Sequence, residues 1–92
     1  MAVLANITQQ PQDVRDYDID FSEWFPAGDI VTTADVTVDK VGLTVTRAVQ
    51  HPRVKAWVRG GVAGTTYKIT VVAGTNDGRA KEVELKVRIK DY

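Results

Sequence analysis

From Glu82 to Lys90 the chain alternates without a break. Val83, Leu85, Val87 and Ile89 are apolar, while Glu82, Glu84, Lys86, Arg88 and Lys90 are charged. Period two puts successive side chains on opposite faces, so the segment predicts a strand with one buried and one wetted face. Tyr67, Ile69, Val71 and Ala73 repeat the pattern around Lys68 and Thr70, and Thr75-Asn76-Asp77-Gly78-Arg79 separates the two runs. Asp-Gly between alternating runs is a strong signal for a tight reversal, so residues 66–90 are expected to form a β-hairpin. The adjacent Val71 and Val72 break strict alternation, which either a bulge or a covered outer face explains.

Shorter runs lie upstream. Val54 to Arg59 ends in the glycine-rich stretch Gly60-Gly61-Val62-Ala63-Gly64-Thr65, Leu43 to Arg47 follows Gly42, and Ile30 to Val38 is rich in Thr and Val. Tyr17 to Trp24 sets Tyr17, Ile19 and Phe21 against Asp16, Asp18 and Asp20 before the break Phe25-Pro26-Ala27-Gly28. These make six strands, and Val3 to Thr8, linked onward by the polar residues 9–12, adds a seventh. No window of helical length carries apolar residues at a spacing of 3.6. Strands recurring with turn signals between them predict an all-β fold, a single immunoglobulin-like β-sandwich of six or seven antiparallel strands. Residues 1–15 are read as an N-terminal arm or first strand and residues 16–92 as the sandwich domain.

Length bounds this picture: 92 residues allow one domain. A content of 43% hydrophobic and 26% charged residues is that of an ordinary folded chain. The absence of cysteine excludes a disulfide framework, a thiolate nucleophile and a thiolate metal site, so stability must come from packing. A core this small leaves only a few kcal/mol after chain entropy, and association with a partner or with identical copies is a common remedy. Met1 to Gln10 contain no Lys or Arg and no long apolar run, and no stretch approaches the roughly 20 apolar residues of a membrane span. A cytosolic product without a membrane partner is expected.

Net charge is zero, which argues against a nucleic-acid partner, but its distribution is uneven. Residues 1–39 hold eight acids and one base, giving −7, and residues 40–92 hold eleven bases and four acids, giving +7. A sandwich that interleaves strands from both halves mixes these charges on its surface. This reading is preferred to a dipolar subunit stacking head to tail.

Candidate chemistry is sparse. The glycine-rich stretch 60–64 leads into a strand, whereas a phosphate-binding loop needs a following helix whose N-terminus attracts the anion, so it reads as a turn. Asp16, Asp18 and Asp20 have the spacing with which a calcium loop begins, but Phe21 stands where such a loop needs glycine and Ala27 where it needs glutamate. On a strand the three share one face and call for basic neighbours such as Arg47, Arg53 or Lys55. His51 and Ser22 are the chain's one histidine and one serine, and Ser22 lacks the flanking glycines of a nucleophile elbow. No catalytic residues, metal or cofactor are expected. The basic residues Lys81, Lys86, Arg88 and Lys90 come without aromatic platforms for bases and share their stretch with Glu82 and Glu84. Trp57 is out of phase with Val54, Ala56 and Val58; it is either an exposed interface anchor or packed under cover on the second face of its sheet.

In their order and spacing several segments resemble the small tailed-bacteriophage proteins described as fibre-tail adaptors. They are Asp16-Tyr17-Asp18-Ile19-Asp20-Phe21, Asp29-Ile30-Val31, Val54-Lys55-Ala56-Trp57-Val58-Arg59-Gly60-Gly61, Gly64-Thr65-Thr66-Tyr67, and Asp77-Gly78-Arg79 before the last strand. The likeness runs from about Asp16 to Ile89. Arg59 stands where the usual turn has serine, and Phe21 where tryptophan often follows the aspartate. The resemblance implies a virion structural protein without catalytic residues, joining tail or connector to fibres as one of several identical copies. Asp16, Asp18, Asp20, Trp57, Arg59, Gly60 and Gly61 are the candidate interface, with other virion proteins and further copies of the chain as partners. The competing class is a soluble immunoglobulin-like module that binds a protein or carbohydrate outside any virion.

Overall fold

The computed structural model describes residues 3–91; Met1, Ala2 and Tyr92, the outer ends of the expected arm and sandwich, lie outside the described residues. Seven strands follow one another: β1 (Val3–Gln9), β2 (Val14–Asp20), β3 (Val31–Val38), β4 (Leu43–Gln50), β5 (Arg53–Gly60), β6 (Thr66–Thr75) and β7 (Ala80–Ile89). They form a four-stranded sheet ordered β1-β7-β6-β3 and a three-stranded sheet ordered β2-β5-β4, and no helix occurs among the described residues. The inward residues of the two sheets make one core. Ile19, Phe21, Val54 and Val58 meet Tyr67, Ile69, Leu85, Val87 and Ile89 across it.

The predicted hairpin is β6–β7, with Ile69 directly opposite Leu85. Its turn closes through Gly78 N–H to the Thr75 carbonyl (3.1 Å) and Thr75 N–H to the Arg79 carbonyl (2.9 Å). The register of β6 against β7 runs through Val71 and Val72 without a shift. Val71 is buried and Val72 half-buried on the outer face between Asp35 and Glu82, so a partly covered face explains the pair of valines.

The expectation of antiparallel strands throughout needs one correction: four pairings are antiparallel, but β1 runs parallel to β7. Alternation reports which face a side chain occupies and is blind to strand direction. β1 does not pair with β2, its sequence neighbour, because the link 10–13 crosses to the other sheet, so β1 instead extends the edge of β7.

The strand predicted over Tyr17–Trp24 starts earlier and ends at Asp20. There the Asp20 Oδ1 accepts the Ser22 amide (2.9 Å), a local turn that competes with the ladder. Trp24 N–H then bonds the Phe21 carbonyl (3.0 Å). Phe21 keeps its inward place and is fully buried, edge-on to Trp24 and stacked on Phe25. Pairing β2 with β5 also lays the acidic strand beside a basic one, so the charge split along the chain becomes adjacent columns on one surface.

Candidate functional site

The register of the three-stranded sheet fixes its outer face as four rows. Val14, Arg59 and Thr44 form the first, Asp16, Trp57 and Thr46 the second, Asp18, Lys55 and Ala48 the third, and Asp20, Arg53 and Gln50 the fourth. Directly opposed side chains in a sheet lie about 5 Å apart, so an acidic column from β2 stands against a mixed basic and aromatic column from β5. Trp57 occupies the middle column and is 43% exposed. The exposed reading of this residue is therefore the observed one.

Lys55 organises the centre. Its Nζ lies 3.1 Å from Asp16 Oδ2 and 3.8 Å from Asp18 Oδ1, and 6.0 Å from the centroid of the Trp57 ring. One ammonium thus serves two carboxylates and rests at the outer limit of a cation–π contact. Of the three basic residues named for the stripe, Lys55 meets it directly and Arg53 lies opposite Asp20, but Arg47 does not reach it: its Nε donates to the Ala34 carbonyl. The Asp20 carboxyl is held below the usual carboxylate value first by the Ser22 amide, with Arg53 adding to the effect. Exposed pairs of this kind contribute at most about 1 kcal/mol, so the columns are better suited to recognition than to holding the fold.

Gly60 and Gly61 sit at the far end of β5, about 20–25 Å along the strand from Arg53. Gly61 has φ +99°, and a Cβ there would stand 2.5 Å from Ile89 Cγ1, so glycine is required. Its amide bonds the Gly42 carbonyl (2.9 Å), tying the β5–β6 loop to the β3–β4 loop. The buried Tyr67 hydroxyl completes the clamp by accepting the Val62 amide (3.0 Å) and donating to the Val41 carbonyl (3.1 Å). The result is a braced apolar tip where Val41 is 93% and Val62 58% exposed. Sequence reading pointed to the glycines but missed Val41, since only the tertiary clamp brings residues 41 and 62 together.

Ser22, His51 and Asp29 line one small cleft of about 270 Å³, but their bonding is not that of a triad. His51 Nδ1 accepts the Val31 amide (3.0 Å), so that nitrogen has no proton to give an aspartate, and Asp29 Oδ2 pairs with Arg79 (3.2 Å). No cluster of three or more metal-ligating side chains occurs among the described residues.

Residues 9–88 match the family described as podophage GP4 fiber-tail adaptor protein gp77, a span enclosing all five of the segments that carry the resemblance. No curated protein matches the chain.

Proposed function

Because the chain belongs to the podophage GP4 fiber-tail adaptor family, we propose that it is a virion structural protein that acts by contact and not by catalysis, joining tail or connector to fibres. The observation that carries this reading is the outer face of the β2-β5-β4 sheet, where Trp57 is exposed within the basic column of β5 and beside the acidic column of β2. Exposed tryptophan is a preferred anchor of protein interfaces, and flanking charges set register and association rate. Identical copies form a ring around the particle axis, the acidic column of one copy facing basic residues of the next. The Val41–Val62 tip supplies a second, apolar contact towards tail or fibre.

The architecture supports an immunoglobulin-like assignment. In connectivity, β2-β5-β4 and β3-β6-β7 correspond to the two sheets of a seven-stranded immunoglobulin domain, with the first strand moved across to the edge of the last. Such a scaffold presents surfaces at its faces and loop ends, and its function resides in those surfaces. The chain is made in the host cytoplasm and ends in the particle.

A cryo-EM reconstruction of the parent particle tests the reading: symmetric copies of this chain bridging two other virion proteins are expected. Trp57→Ala and Asp18→Lys should each fold normally yet be incorporated poorly. Normal incorporation of both variants, or absence of the chain from purified particles, overturns it.

A further inference from the structure

The two sheets are closed against each other on one side, where β3 packs on β4, and stand apart on the other, between the edge strands β1 and β2. A cleft of about 580 Å³ lies there. Ile7, Ile19 and Leu85 line its floor, Trp24 lines one end, and Asp18, Asp20 and Glu23 are on its rim. The opposite end is fixed by Tyr17, whose hydroxyl donates to Gln9 Oε1 at 2.6 Å while the buried Gln9 amide holds the Val58 carbonyl at 3.2 Å. Burial pushes the Tyr17 hydroxyl above the ordinary phenol value against the opposing Arg15, so it keeps the proton it donates.

We propose that this cleft receives an extended segment of another virion protein, added as a strand on the free edge of β2 and alternating small apolar residues with Lys or Arg. Strand addition draws affinity from main-chain hydrogen bonds and specificity from alternate side chains. β2 is an edge strand bonded only to β5, and about five of its residues line the cleft, room for a segment of roughly 17 Å. The apolar floor accepts every second side chain. The rim selects basic residues for the others, because among the described residues one shared ammonium, Lys55, is all that stands within ion-pair distance of Asp16 and Asp18. β5 already shows the pattern β2 accepts: Val54, Ala56 and Val58 point inward while Arg53, Lys55 and Arg59 face the acidic side.

This proposal rests on the adaptor reading, in that the occupant is a protein, and its test is independent of particle assembly. Titration of the purified full chain with a blocked peptide of about seven residues alternating lysine and valine should give a Kd below about 1 mM. Amide exchange should slow along β2 and stay unchanged along β4. Asp20→Lys and Glu23→Lys should each weaken binding about tenfold, Trp57→Ala should leave it unchanged, and a glutamate–valine peptide should not bind. No binding, equal binding of the glutamate peptide, indifference to both charge reversals, or protection mapped to β4 overturns the cleft assignment. If the peptide fails while Trp57→Ala still blocks incorporation, the cleft assignment falls and the adaptor reading stands.

Discussion

Tyr67 shows how much one hydroxyl decides. Its ring is part of the core, while its oxygen satisfies an amide and a carbonyl from two loops that are distant in sequence. Tyr67→Phe keeps the packing and leaves both partners unsatisfied, so it should cost about 1–3 kcal/mol in urea unfolding and speed amide exchange at Val62. Three carboxylates matter in another way. Asp20 is held low by the Ser22 amide and Asp39 chiefly by the Lys68 amide, which reaches its Oδ1 at 2.9 Å. At Asp29 burial pushes the carboxyl up, but hydrogen bonds from Thr75 and Arg79 outweigh it and leave the value lowered. A depressed carboxylate contributes stability that is complete above its ordinary pKa and is lost as pH falls through the folded value. Melting temperature should therefore stay level from pH 7 to about 5 and drop below about pH 4, and Asp39→Asn should flatten that drop in calorimetric scans.

Among the elements, the β6–β7 hairpin is the spine of the larger sheet: β7 is flanked by β6 and β1, and β6 by β7 and β3. Leu85 and Ile69 face each other at its centre, both buried. Leu85→Ala should cost about 2–5 kcal/mol, comparable with the whole stability of a domain this small, and the isolated variant should be largely unfolded by near-ultraviolet circular dichroism. A melting point within a few degrees of the parent would contradict the inward placement. The loop following β5 is equally constrained. Gly61→Ala forces a side chain into the space of Ile89 at a backbone angle that disfavours it, and a lowered urea midpoint should report the strain.

At the scale of the whole molecule, the two halves of opposite charge are folded into one body, in which acidic β2 lies directly beside basic β5. Exposed charge columns set register once a partner is near but contribute little binding energy on their own. Sedimentation should therefore find monomers at micromolar concentration, with symmetric copies appearing only on the particle. Far-ultraviolet circular dichroism should show the β-dominated curve of a chain with no helix among its described residues, and a helical minimum at 222 nm would be incompatible with the fold.

In four of the strands the wet side could be read from the chain alone, because alternation is a local signal read residue by residue. The inward faces of β2, β5, β6 and β7, the Asp77-Gly78 turn and the placing of Asp16, Asp18 and Asp20 on one face were all legible in this way. Trp57 was visible as out of phase, but its exposure depended on whether anything covers that sheet, which no local pattern encodes. Partners and edges came from the assembled fold: β1 parallel to β7, Lys55 as the cation beside the aspartates, Val41 brought to Val62, and the cleft between β1 and β2. Each joins segments far apart in the chain through long-range pairing, backbone hydrogen bonds or the shape left between two sheets. Those choices are settled by which arrangement buries the common core while satisfying every ladder at once, a condition on the whole chain that no single segment carries.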